Sequence, residues 1–164
     1  MSNPHATLAP LHLPSPEATT ELALTLAGRL GAGDVILLEG SIGAGKTHFA
    51  RSLIQALLAR EGRHEDVPSP TFTLVQIYDT DTFEIWHADL YRLGHPQEVV
   101  ELGLDLAFDE GLCLIEWPDR LGSLRPAHAI TLTLQPDADG EGRLATFSGP
   151  ADRLAELMKA HDHD

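Results

Sequence analysis

Gly40, Gly45, Lys46 and Thr47 stand in the order G-x-x-x-x-G-K-T, and Lys46 is one of only two lysines in the chain. Glycines at this spacing let the backbone curl until successive N–H groups converge on phosphate oxygens. A helix beginning at Lys46 adds the positive end of its dipole to the same anion site. Lys46 then reaches β- and γ-phosphates, and the Thr47 hydroxyl can ligate Mg²⁺. The intervening Ser41, Ile42, Gly43 and Ala44, with His48 beyond, complete the stretch expected to contact a nucleotide.

Such a loop needs acidic partners for its metal and for the attacking group. Glu116 follows the apolar run LCLI, where a Walker B acid would stand beside the loop's strand and hold the metal directly or through water. Asp89 ends FEIWHAD, and strand alternation puts it on the same face as His87. It can orient a water or complete the metal shell. For His87, site and packing roles are both open, and Trp117 either seals the site or fills the core.

The elements that must position these residues are legible in outline. SPEATTELALTLAGRL reads as a helix with Ser15 as N-cap and Pro16 at its first position. DVILLE reads as a buried parallel strand, and KTHFARSLIQALLAR as a helix with one apolar stripe through Phe49, Leu53 and Leu57. TFTLVQIY and TFEIWHADLY, separated by DTD, read as a β-hairpin. A short helix is expected in QEVVELGL, a buried strand in LCLIEW, two strands in AITLTL and RLATF, and a last helix in ADRLAELMKA. The fold class is α/β with a three-layer sheet, one domain over 1–164, with 1–14 and 160–164 expected to be flexible.

Composition narrows the partners. Twenty-five acidic against eleven basic residues give a formal charge of −14, with no basic run to neutralise phosphates, so direct tight nucleic-acid binding is not expected. No window approaches the roughly 18 apolar residues of a membrane helix. The N-terminus lacks a secretory pattern, and the single Cys113, set in an apolar run, suits a buried thiol in a reducing cytoplasm. The HDHD tail holds metal-ligating residue types but reads as a flexible terminus.

A Ras-like GTPase is excluded, because Asn3 is the only asparagine and no Asn-Lys-x-Asp motif can exist. A small-molecule kinase is the alternative, although EGRHEDVPSP supplies one arginine and no evident lid. A nucleotide-sensing module without turnover is a third reading.

The ordered set GAGKTHFAR, VPSPTFTLV, HADLYRL and LIEWPDRL resembles the TsaE (YjeE) family, the bacterial ATPase subunit of the machinery that makes threonylcarbamoyladenosine on tRNA. The resemblance runs from about residue 15 to 147. It implies a P-loop NTPase fold with a mixed, mainly parallel sheet, and ATP with Mg²⁺ as ligands. It further implies Thr47 and Glu116 as metal ligands, and Asp89 near the reacting phosphate. The same resemblance puts Trp117 near the nucleotide, Arg143 of the Gly-Arg hairpin flanking it, and residues around Ser15 to Thr19 near the base. A switch-like segment is implied at residues 69–72. The implied partners are the tRNA threonylcarbamoyl transferase subunit (TsaD) and its non-catalytic partner (TsaB). Of the chain's own arginines, Arg92 in DLYRL either supplies charge near the site or braces the hairpin. Ser41 and His48 depart from the family pattern, which usually has an acidic residue and a second threonine there.

Overall fold

The structure, a computed structural model, describes residues 4–41 and 43–159. Ile42 of the loop and residues 160–164, with the HDHD tail, lie outside the described residues. In chain order the elements are β1 (His5–Thr7), β2 (Leu11–Leu13), α1 (Pro16–Ala27), β3 (Val35–Glu39), α2 (Lys46–Ala59), β4 (Val75–Asp79) and β5 (Glu84–Asp89). There follow α3 (Gln97–Glu101), α4 (Leu104–Glu110), β6 (Leu112–Glu116), a 3-10 turn (Pro118–Leu124), β7 (Ile130–Pro136), β8 (Arg143–Pro150) and α5 (Ala151–Leu157).

One sheet carries the strands in the order β1-β8-β7-β3-β6-β5-β4, with β2 also on β8. Its four central strands β5, β6, β3 and β7 run parallel, and the outer pairings are antiparallel. β3 and β6 are apolar along nearly their whole length because both faces are covered. Alternation sends Ile36, Leu38 and Leu114 to the side of α1, α2 and α5, and Val35, Leu37 and Cys113 to the side of α3 and α4. This is the expected three-layer arrangement. Each fully buried Leu or Ile contributes about 1.5–3 kcal/mol of transfer free energy.

α1 starts where its sequence says it should. The Ser15 side chain accepts from the Ala18 N–H, and Pro16 takes the first turn. In α2 the expected stripe is buried in full, including Phe49, Leu53 and Leu57. The β4–β5 hairpin forms, but its first strand begins at Val75 rather than Thr71. Residues 71–74 turn instead, with the Leu74 N–H on the Pro70 carbonyl (2.7 Å) and Leu74 at φ 69°. The helix after Pro96 is α3, and α4, which was not anticipated, follows through Gly103 at φ 82°.

The N-terminal expectation requires correction. Residues 5–7 and 11–13 are strands β1 and β2, not a flexible arm. They pair antiparallel with successive parts of β8, from Pro150 back to Arg143. The eight-residue β8 would otherwise present an open edge of unpaired backbone groups, and the two short strands cover it.

Candidate functional site

The loop between β3 and α2 bends through three glycines at positive φ, Gly40 (145°), Gly43 (81°) and Gly45 (103°). A side chain at Gly40 would collide with the Leu134 carbonyl and crowd Ala44. Gly45 is the N-cap of α2, and its carbonyl accepts from Phe49 N (2.9 Å). The loop therefore delivers Lys46 and Thr47 on the first turn of a 14-residue helix.

Lys46 is 5% exposed. Its Nζ donates to the Gly40 carbonyl at 2.5 Å and lies 3.4 Å from the centroid of the Trp117 ring. Burial pushes the Lys46 ammonium below its ordinary value, while the Glu116, Asp89 and Asp119 carboxylates pull it back up. Trp117 adopts the left-handed region (φ 59°), a strained choice for a bulky residue, and so turns its ring over Lys46 directly after β6. Tyr91 packs on it at 4.9 Å between centroids.

The two carboxylates arrive on neighbouring parallel strands. β5 and β6 pair in a register that places Asp89 beside Glu116. Both are buried, as is His87. The Thr47 hydroxyl donates to Glu116 Oε1 (2.8 Å), and His87 Nε2 donates to Glu116 Oε2 (2.8 Å). Asp89 accepts from the Thr71 hydroxyl (3.3 Å) on Oδ2 and from Tyr91 N (3.0 Å) on Oδ1. Ser69 Oγ in turn lies 2.8 Å from Thr71 Oγ1.

Lys46, Thr47, Ser69, Thr71, Asp89, Glu116 and Trp117 line one cleft of about 420 Å³, with Gly43, Gly45 and His48 at its loop side. Ser41 and Ala44 do not line it. Ala44 is buried under the loop, and its N–H bonds the Ser41 carbonyl (3.0 Å). His48 faces α1, with Nε2 donating to the Pro16 carbonyl (3.0 Å) and 3.1 Å from Thr20 Oγ1. Arg143 lies behind the loop rather than in the cleft. Its Nε donates to the Ala44 carbonyl (2.9 Å) and its Nη2 to the Gly43 carbonyl (3.0 Å). It borders a second hollow of about 190 Å³ with Ser15, Thr19 and His48. Arg92 stacks on the exposed Phe72 ring, 4.8 Å from its centroid, and does not line the cleft.

Two roles were invisible or open in the sequence: the bracing of the loop by Arg143, and the contact of His87 with Glu116. Strand alternation put His87 on the right face, but only the β5–β6 register brings it to Glu116.

The donor set suits a hard divalent cation. A hydroxyl and a carboxylate oxygen stand side by side at the helix N-terminus, with a second carboxylate one strand over. Among the described residues no group of three or more His, Cys, Asp or Glu side chains could hold a metal. The hydroxyl and carboxylates present fit an ion such as Mg²⁺, which takes one or two protein carboxylates and fills its shell with phosphate and water oxygens.

Comparison with known proteins identifies the family and the fold. The family model for the threonylcarbamoyl adenosine biosynthesis protein TsaE matches residues 13–144. The tRNA threonylcarbamoyladenosine biosynthesis protein TsaE of Bacillus subtilis (strain 168) is 34% identical over 153 residues, spanning 91% of this chain and 92% of that protein. Its namesake from Rickettsia felis is 42% identical over 125 residues, spanning 76% of this chain and 71% of that protein. The crystal structure of YdiB from Bacillus subtilis superposes with a TM-score of 0.75 at 28% identity, covering 95% of this chain and 94% of that one. The fold is that of a P-loop NTPase, and the chain belongs to the TsaE family.

Proposed function

We propose that the chain binds ATP with Mg²⁺ and hydrolyses it, as the ATPase subunit of the machinery that makes threonylcarbamoyladenosine on tRNA. One observation carries the reading: Lys46, Thr47, Asp89 and Glu116 converge at the ends of neighbouring parallel strands and the start of α2. This is where an open parallel sheet presents its ligand crevice. Loop amides from Gly43 to Thr47 and the helix N-terminus cradle the phosphates, and Lys46 holds the β- and γ-phosphate oxygens. Thr47 and Glu116 hold Mg²⁺, with Asp89 near enough to share that task. When bound, the ion neutralises charge on the β- and γ-oxygens. Asp89, fixed by Thr71 and Tyr91 N–H, orients the attacking water. Trp117 shields Lys46 from solvent and borders the nucleotide.

The relatives' names, tRNA threonylcarbamoyladenosine biosynthesis proteins, support the pathway. The −14 charge supports contact with tRNA only through partners, the transferase subunit (TsaD) and its non-catalytic companion (TsaB). A cytoplasmic setting accords with a lone buried Cys113. No helix among the described residues is long and apolar enough to cross a membrane. The test is phosphate release from ATP and Mg²⁺ by the purified chain, alone and with both partner subunits. Release that rises with the partners and disappears in Lys46→Ala is expected. No nucleotide binding and no release in any mixture overturns the reading.

A further inference from the structure

Glu116 is held at both oxygens. Oε1 takes the Thr47 hydroxyl and Oε2 takes His87 Nε2, each at 2.8 Å. Glu is a long side chain, and fixing its rotamer costs about 1.5–2 kcal/mol in lost entropy. Something rigid must hold it if its position is to be set before a cation arrives.

His87 has that rigidity. It is 0% exposed, sits on β5 opposite Leu114 of β6, and lies two residues before the Asp89–Glu116 pair on the same face. Donation to a carboxylate assigns the proton to Nε2. The other ring nitrogen, Nδ1, is buried and has no hydrogen-bond partner among the described residues. A residue retained for packing alone would gain by losing that unpaired nitrogen, since burying an unsatisfied polar atom costs about 1–3 kcal/mol. His87 also does not line the cleft, so neither nitrogen is offered to a nucleotide. Whatever it does for the site passes through Glu116.

We propose that His87 is the positioning residue for Glu116. By pinning Oε2 it keeps Oε1 beside the Thr47 hydroxyl, so that the two oxygens offered to a divalent cation are set in advance. Partners of this kind behind a ligand carboxylate typically change metal affinity 10–100-fold when removed. The inference rests on the Mg²⁺–ATP reading above and adds to it the residue that tunes the metal's grip.

The test measures the Kd of a fluorescent ATP analogue for the full chain in Mg²⁺ and in EDTA, and takes their ratio as the gain due to the metal. His87→Leu is expected to cut that gain about 10-fold or more. His87→Gln, whose side-chain amide also presents an N–H, is expected to restore it to within about threefold of the wild type. A gain unchanged in His87→Leu, with any loss confined to thermal stability, overturns the assignment and leaves the ATP reading intact. Wild-type protein that binds the analogue in neither buffer overturns the ATP reading and this inference with it. Should His87→Leu not fold, ¹⁵N-histidine NMR of the wild-type nucleotide complex decides. The His87 Nε2–H resonance is expected to move when Mg²⁺ replaces EDTA, and a resonance that stays put overturns the proposal.

Discussion

The hydroxyl of Thr47 donates to Oε1 of Glu116 across 2.8 Å, joining the first turn of α2 to the last residue of β6. In Thr47→Ala or Glu116→Ala, nucleotide binding is expected to lose about 1–3 kcal/mol in Mg²⁺, the size of one charge-assisted contact, and much less in EDTA. Titration calorimetry in the two buffers reads the difference. Equal Mg²⁺ dependence in wild type and both variants removes these residues as metal ligands.

Asp89 accepts two hydrogen bonds on different oxygens, from Thr71 and from Tyr91 N. An asparagine amide nitrogen cannot accept the first of them. Asp89→Asn is expected to slow phosphate release at least about 100-fold, within the range for a positioned proton acceptor. ATP affinity should stay within about threefold. Single-turnover kinetics beside equilibrium binding separates these, and unimpaired turnover would take Asp89 out of the chemistry.

Trp117 lies against Lys46, whereas Trp86 donates its indole N–H to Glu84 on the other side of β5 from the cleft. Added nucleotide is expected to change tryptophan emission in the wild type and in Trp86→Phe, and to leave Trp117→Phe unchanged. A response that follows Trp86 instead would place the nucleotide elsewhere.

Arg143 grips the carbonyls of Gly43 and Ala44, so its loss loosens the loop without touching the metal's ligands. Arg143→Ala should weaken nucleotide binding by about 1–3 kcal/mol, equally in Mg²⁺ and in EDTA. That pattern contrasts with Thr47→Ala. A Mg²⁺-selective loss would contradict it.

Burial pushes the Cys113 thiol from its ordinary 9.0 up to about 12. The unfolded chain therefore releases this proton first as pH rises. Stability is whole below about pH 9 and falls between there and about 12, by up to about 1.4 kcal/mol per pH unit from this group. Urea midpoints at pH 8 and 10 should fall more steeply in the wild type than in Cys113→Ala. A thiol reagent at pH 8 should modify only unfolded protein. Rapid modification of the native chain would mean the thiol is accessible.

Much of this architecture could be read from local pattern. The continuous apolar runs around Leu37 and Leu114 announced strands covered on both faces, and Ser15-Pro16 announced the start of α1. That Lys46, Thr47, Asp89 and Glu116 would meet in one cleft was legible, because a glycine loop and two strand-end acids announce themselves in residue type and position. What escaped depended on pairings between distant segments. β1 and β2 are three residues each, too short to show alternation, and exist because β8 lies alongside, about 130 to 145 residues later. The turn at Leu74 needs a positive φ that nothing in TFTLVQIY signals. A lone arginine in a hairpin says nothing of the carbonyls it will meet, and the His87–Glu116 contact is set by register alone.

Leu13 of β2 stands opposite Arg143 in β8, and Arg143 is the residue that clasps the nucleotide loop. The leading segment and the phosphate cradle thus share a single mechanical anchor, although more than 25 residues separate them along the chain. Truncating the protein back to the first helix for crystallisation would strip the strand flanking that arginine. The shortened version would also lose the buried Leu13 from its interior, and would grip its ligand less firmly.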